Sequence, residues 1–458
     1  MQPQVKTKPG RNDFFGGLME KSDEIEARYR ALTPRSQALY ERAGAVFPGG
    51  FTRDAVMRSP YAPFVASAHG TAMTDADGRT ITDLWFNATS LPLGHAHPEV
   101  VAAAAHQLSI GTAYFAPTEL ELALGELLVE RIPCAERIRF ANSGSEAVMM
   151  ALRFARAFRD RATVVVKFEG SYHGSYDDVS WSVAPSLADV GPADRPTPIP
   201  ETAGLAGTEA RVTVLPYNDA QTLRDHVERH HEQIAAILVE PMANRMGLIL
   251  PDLAFVQEAR ALCDQFGIVL VFDEVIAFRV AYDGAQGLLG VTPDLVTLGK
   301  IIGGGFPVGA IAGRADILDA SDPACKAGRR VAHAGTFNGN PMVGAAGYAT
   351  MALLTREVFD RINALGAHVR AELSRICEGL PLQVTGAGSL FKINATPHPI
   401  HNYRDAATVD AKWEQLASLA LLNEGFMLTP RLSGCVSVVT PQDEIDAFLA
   451  AFRRIVRT

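Results

Sequence analysis

Six short and almost wholly apolar runs, at 162–168, 211–217, 235–241, 268–275, 295–300 and 308–313, constrain the fold of this chain more than any other feature. Helical periodicity fills the intervals between them, beginning near residue 97. A strand that is apolar on both faces has to be covered on both faces, so the pattern predicts an α/β architecture: a buried, mostly parallel sheet sandwiched by helices. With 458 residues there is also room for a second, smaller domain. Before the runs, TAMTDADGRTITDLWF places Asp77-Gly78 between two alternating segments and predicts a β-hairpin. After residue 355 come a long helix, short strand candidates near Leu390 and Val436, and a final amphipathic helix. The expected division is an N-terminal arm and part of the small domain over residues 1–75, a large domain over 76–345, and a C-terminal α+β small domain over 346–458. Ala184 to Thr208, rich in Pro, Ala and Gly, reads as a long surface excursion that could serve as a lid.

Acidic residues outnumber basic ones, 51 to 42, which argues against nucleic acid or an anionic membrane surface as partner and leaves a small molecule or a second copy of the chain. The five cysteines are widely spaced and form no C-x-x-C pair, which points to reducing cytoplasm rather than a disulfide framework. MQPQVKTKPGRNDFF has no apolar core after its basic residues, so it reads as a frayed arm and not a secretory signal. The longest uncharged stretch, Val100 to Thr118, carries His, Gln, Ser, Thr, Gly and Pro and does not qualify as a membrane span.

Ligands of such sheets sit beyond the carboxyl ends of the strands, so polar residues closing apolar runs are the first candidates. One run ends in Asp273-Glu274, and another in Lys300 followed by Gly303-Gly304-Gly305. A third candidate is a helix start: in FANSGSEAV, Ser143 with Glu146 three residues on forms a capping box whose open amides, with Gly144 and Ser145, suit a phosphate. Taken singly, each has an ordinary structural reading: a cap is a cap, a strand-closing carboxylate caps a helix, and a lysine after an apolar run snorkels, as Lys167 in TVVVKFEG is expected to do. Only eight lysines occur in the whole chain, however, and the conjunction of anion cradle, acid and amine is what pyridoxal phosphate needs.

The segments FANSGSEAVMMALRFARAF, FEGSYHG, ILVEP, LVFDEVIAFRVAYDGAQGLLGVTPDLVTLGKIIGGGFPVGAIAGR and HAGTFNGNP resemble the class III aminotransferases, in the branch of glutamate-1-semialdehyde aminomutase and β-phenylalanine aminotransferase. The resemblance implies fold type I of the pyridoxal 5'-phosphate enzymes, with Lys300 forming the Schiff base and shuttling the proton and Asp273 pairing with the pyridine nitrogen. It implies that Ser143, Gly144 and Ser145 hold the phosphate, that Tyr172 and Val275 pack on the two ring faces, and that Thr336 reaches the phosphate of the neighbouring subunit in a homodimer with shared sites. Ser145 stands where the family often has Thr. His173 either lines the cofactor pocket or packs in the core. No H-E-x-x-H, G-x-S-x-G or P-loop is present; His95-Ala-His97 could be read as a metal pair, but the resemblance implies that GHAHP is a turn before a helix, so no metal is expected.

For the substrate, Arg53 aligns with the arginine that grips the carboxylate in β-phenylalanine aminotransferase-like enzymes, and Arg431 with that group's movable carboxylate receiver. Ala88 stands where the aminomutases carry an aromatic residue, and Arg245 where some aminotransferases keep a glutamate. The resulting expectation is a transaminase moving an amino group from a β-amino or related ω-amino acid to a 2-oxo acid. Two alternatives stay open: an intramolecular aminomutase or racemase on the same scaffold, and a catalytically dead cofactor-binding protein.

Overall fold

A computed structural model describes residues 11–160, 162–205, 211–325 and 330–457. Val65–His69 (β1), Ala72–Asp75 (β2) and Thr80–Asp83 (β3) form an antiparallel meander. The expected hairpin is β2–β3, with Asp75 Oδ1 accepting from the amides of Asp77 (3.0 Å) and Arg79 (2.8 Å). The expected domain boundary after residue 75 falls inside this turn.

Seven strands make the central sheet: Arg137–Ala141 (β4), Val164–Phe168 (β5), Val212–Leu215 (β6), Ile234–Val239 (β7), Val269–Asp273 (β8), Leu295–Gly299 (β9) and Gly309–Gly313 (β10). Their order is β4-β10-β9-β8-β7-β5-β6; β10 runs antiparallel to both its neighbours and the other pairs are parallel. All six apolar runs lie in this sheet. The seventh strand, RIRFA, was not expected, because two arginines interrupt its apolar pattern at the sheet edge. Alternate residues of one strand face opposite layers: Val269 and Val271 pack with helix Gly144–Arg159, Leu270 and Phe272 with helix Leu253–Phe266.

Gln383–Thr385 (β11), Leu390–Asn394 (β12) and Ser433–Cys435 (β14) form a third sheet, and Phe426–Met427 (β13) pairs in parallel with β3. The opening meander is therefore hydrogen-bonded to the C-terminal part of the chain. The expectation of a frayed arm needs correction in part. Residues 1–10 lie outside the described residues, but Arg11–Met19 is a helix whose Phe14 and Phe15 pack against Trp413, tilted and edge-on, with ring centroids 5.6 and 5.8 Å away. The reason is apolar burial, as an aromatic pair carries enough surface to anchor a short helix.

The excursion after Ala184 is held down over residues 185–192. Arg404 pairs with the buried Glu169 through two nitrogens (3.0 and 3.1 Å) and also donates to the carbonyls of Gly191 (3.0 Å) and Pro192 (3.1 Å). Tyr403 Oη donates to Pro185 O. Residues 206–208 of the excursion lie outside the described residues. Among the described residues, no helix is long and apolar enough to cross a membrane.

Candidate active site

A cavity of about 420 Å³ opens beyond the carboxyl ends of β8 and β9, and Asp273, Val275, Lys300, Tyr172 and Ser143–Ser145 all line it. Of the two acids that close β8, geometry separates one from the other. Asp273 accepts from the Nδ1 of His173 (2.8 Å), the hydroxyl of Thr297 (3.1 Å) and the amide of Val275 (3.1 Å). Glu274 turns away, accepts from the amides of Ala285 (2.7 Å) and Gln286 (3.2 Å), and so caps helix Gly284–Leu289. His173 is buried, and burial lowers its pKa against the opposing pull of Asp273. A neutral imidazole that donates from Nδ1 leaves the carboxylate its charge.

Lys300 follows β9 directly and takes up a left-handed backbone conformation, φ 49°, in which a residue with a Cβ is strained. Burial pushes its pKa down, opposed by Asp273 and then Glu240. Among the described residues it is the only lysine lining the cavity.

The helix Gly144–Arg159 starts at the cavity wall. Ser143 Oγ accepts from the amide of Glu146 (3.2 Å), as a cap should, whereas the carboxylate of Glu146 reaches back one residue farther than expected and takes the amide of Asn142 (2.8 Å). The amides of Gly144 and Ser145 open the helix without an intrahelical acceptor, the arrangement that binds anions. Gly144 is required by packing: a Cβ there would lie 2.9 Å from both γ-carbons of Val275. Those residues fit pyridoxal phosphate, with amides for the phosphate, an acid for the ring nitrogen, an amine for the aldehyde, and Tyr172 and Val275 to hold the ring.

The remaining expected residues are placed less uniformly. Arg53 and Ala88 both line the cavity, and Arg53 donates to Asn87 Oδ1 at 3.1 Å. Asn87 and Ala88 sit in an unusual turn, in which Phe86, Asn87, Ala88 and Thr89 are all left-handed, with φ of 48°, 50°, 55° and 72°. Each such non-glycine residue costs about 1–2 kcal/mol, and the turn is capped by Asp83, whose Oδ1 accepts from the amides of Trp85 (2.7 Å) and Phe86 (2.9 Å). Nothing in the sequence signals this turn or the part that Asn87 plays in it.

Arg245 is exposed and does not line the cavity; its guanidinium lies 4.5 Å from the centre of the Tyr172 ring and covers one face of it. Arg431 does not line the cavity either, and its Nε donates to the buried Glu414, which Lys392 also approaches at 3.4 Å. Thr336 is exposed, in a loop tied to the site by a hydrogen bond from Asn142 Nδ2 to Asn338 Oδ1 (2.8 Å). His95 bonds Asp83 (2.8 Å) and His97 begins helix Pro98–Ile110, so the two histidines serve the turn separately.

The reading of Lys167 as a snorkelling side chain is overturned. Its side chain is fully buried, and its Nζ donates to the carbonyls of Ser171 (3.1 Å), Val179 (3.0 Å) and Trp181.

The family model described as aminotransferase class-III matches residues 55–456. A curated relative, glutamate-1-semialdehyde 2,1-aminomutase of Methanothermobacter thermautotrophicus, is 39% identical over 430 residues, 92% of this chain and 99% of its own. Among solved structures, an omega-transaminase from Sphaerobacter thermophilus is 42% identical with a TM-score of 0.88 over 92% of this chain and 97% of its own. A β-phenylalanine aminotransferase from Variovorax paradoxus is 36% identical with a TM-score of 0.86 over 96% of this chain and 97% of its own.

Proposed function

The chain belongs to the class III aminotransferases, which are pyridoxal-phosphate-dependent enzymes, and from that premise we propose that it moves the amino group of a small, carboxylate-bearing amine. The observation that carries the reading is the meeting of Lys300, Asp273 and the opening amides of helix Gly144–Arg159 around one cavity. Bound pyridoxal phosphate supplies an electron sink for the carbon that bears the amine. The chain's own residues do the rest: Lys300 carries the cofactor and then moves the proton, Asp273 keeps the pyridine nitrogen protonated, and Ser143–Ser145 hold the phosphate.

Two finer readings remain, and different observations favour them. The curated relatives, named as glutamate-1-semialdehyde aminomutases, back an intramolecular amino shift better than the transaminase expected from the sequence. The cavity and the transaminases among the solved structures favour transfer between two molecules. Ala88 leaves room in the wall for a large side group, and Arg53, aligned by Asn87, offers a bidentate clamp to a carboxylate. Arg431 rests on Glu414, so serving as a second receiver would require it to swing.

Incubating the purified holoenzyme separately with glutamate-1-semialdehyde alone, and with β-amino acids plus a 2-oxo acid, decides between the two. Isomerisation without an acceptor establishes the aminomutase; conversion of β-amino acids only when an acceptor is present establishes the transaminase. In the second case Arg53→Ala should raise KM for the β-amino donor about tenfold to a hundredfold and spare the 2-oxo acid. An equal loss for both substrates would remove Arg53 from the donor's carboxylate.

A homodimer with shared sites belongs to the same reading. Apolar side chains stand exposed along and after helix Pro98–Ile110, among them Leu108, Ile110, Tyr114 and Phe115, and Phe337 stands exposed beside Thr336. Such a patch supports self-association. Mixing inactive Lys300→Ala protein with an inactive Thr336 variant should restore part of the activity in hybrid dimers. A fully active, cofactor-loaded monomer in solution scattering would exclude the shared site. The parallel pairing of β13 with β3 supports a small domain built from both ends of the chain, and five free cysteines support a reducing compartment.

A further inference from the structure

Four neighbouring residues, 171 to 175 less Gly174, are each tied to a different part of the site. His173 bonds Asp273 (2.8 Å), and the amide of Ser175 donates to Ser145 Oγ (3.2 Å). The other two ties converge on one peptide unit. Its carbonyl, that of Ser171, accepts from the buried Nζ of Lys167 at 3.1 Å; its N–H, that of Tyr172, donates to the buried side chain of Glu240 at 3.1 Å.

We propose that Lys167 and Glu240 are positioning residues for the Tyr172 ring, acting as a two-sided clamp on the single peptide that joins Ser171 to Tyr172. Rotating that peptide plane would swing the Cα–Cβ bond of Tyr172 and tilt its ring, so a fixed plane removes that motion and leaves the side-chain torsions to the ring's own contacts, Arg245 among them. A donor on the oxygen and an acceptor on the N–H hold both ends of the peptide dipole, and the hold strengthens to the extent that Lys167 and Glu240 carry charge. Lys167 stands outside the cavity and Glu240 at its wall, and the side chain of each hydrogen-bonds backbone groups. Lys167 uses its three N–H groups on three backbone carbonyls, gathering Ser171 with Val179 and Trp181 and so closing both legs of the loop on one nitrogen. Glu240 gives its second oxygen to the amide of Asn244 (3.0 Å), in the segment that also carries Arg245. That places the guanidinium on the same tyrosine ring, 4.5 Å from its centre. Burial lowers the Lys167 pKa to about 7 and raises that of Glu240 to about 8, so neither charge is held outright near neutral pH and the clamp rests on the geometry of its hydrogen bonds.

This inference rests on the reading of Tyr172 as the ring that packs on the cofactor, and the test separates the two. Apoprotein is titrated with pyridoxal phosphate by fluorescence, for wild type, Lys167→Met, Glu240→Leu, Tyr172→Leu and the double variants with Tyr172→Leu. Lys167→Met and Glu240→Leu should each weaken cofactor binding about tenfold, the effect of releasing one end of the Ser171–Tyr172 peptide. In the Tyr172→Leu background the same changes should have little further effect, because no ring is left to position. A loss that persists undiminished in that background, or no loss at all, overturns the clamp. If Tyr172→Leu alone binds as wild type does, the reading of Tyr172 falls and takes the clamp with it. Amide exchange on the wild-type apoprotein keeps the test open should the buried variants not fold. The Tyr172 amide should be protected before any cofactor is added, and exchange as fast as that of an exposed loop would refute the proposal.

Discussion

Lys300→Ala should lower amino-transfer turnover by about 10⁴-fold or more on the proposed function, since a positioned proton-transfer group contributes about 10²–10⁴ and this one would also hold the cofactor covalently. Burial makes the amine a better nucleophile near neutral pH. Its pKa is lowered, so the unprotonated form appears as pH rises through a value below that of a free lysine, while Asp273 and Glu240 limit the shift. No other described lysine can substitute. The Nζ of Lys167 is spent on three carbonyls and that of Lys392 on Glu414 and the carbonyl of Arg431, both away from the cavity. Borohydride treatment of the holoenzyme followed by peptide mapping should find the pyridoxyl group on Lys300 and, in the alanine variant, on no lysine. A label on Lys167 or Lys392 would sink the assignment.

The contrast between Lys300 and Lys167 shows how far the sequence reaches. Each ends or nearly ends an apolar strand, and local sequence offers the same reading for both. Lys300 stands out because it belongs to a set, with an acid 27 residues before it and a cap 130 residues before that acid, and pyridoxal phosphate needs all three. Lys167 is not legible, because its acceptors are backbone carbonyls 4, 12 and 14 residues onward in a loop without periodicity. Carbonyls carry no residue identity, and so a buried ammonium satisfied by them leaves no pattern. Arg431 is hidden for a related reason: its partner Glu414 lies 17 residues back on helix Ala411–Asn423, and only the fold brings them together. The six apolar strands were legible from hydrophobicity alone, whereas the edge strand Arg137–Ala141 was not. An edge strand can keep arginines that a central one would have to bury.

Asp273→Asn should leave the fold nearly intact and lower turnover by about 10²–10³-fold or more, the scale set by removing one preorganised electrostatic partner from an active site. The carboxylate accepts three hydrogen bonds, from His173, Thr297 and Val275, and an asparagine has one oxygen with which to accept them. The imidazole can adapt: by moving its proton to Nε2 it turns Nδ1 into an acceptor for the new amide NH₂, so the destabilisation should stay within about 1–3 kcal/mol. The chemistry has no such escape. On the proposed function, a neutral amide at 273 could not hold a proton on the pyridine nitrogen, and the cofactor would withdraw electrons poorly although the residues proposed to hold its phosphate and ring would still bind it. Cofactor affinity should therefore fall far less than kcat, and the melting temperature by only a few degrees. Thr297→Val makes the comparison sharper, because it removes one of the three donors and leaves the charge; it should retain most of the activity. If Asp273→Asn kept wild-type kcat while Thr297→Val lost it, the ring nitrogen would have some other partner, and Asp273 would be a structural anchor for His173 rather than the acid that keeps the cofactor protonated.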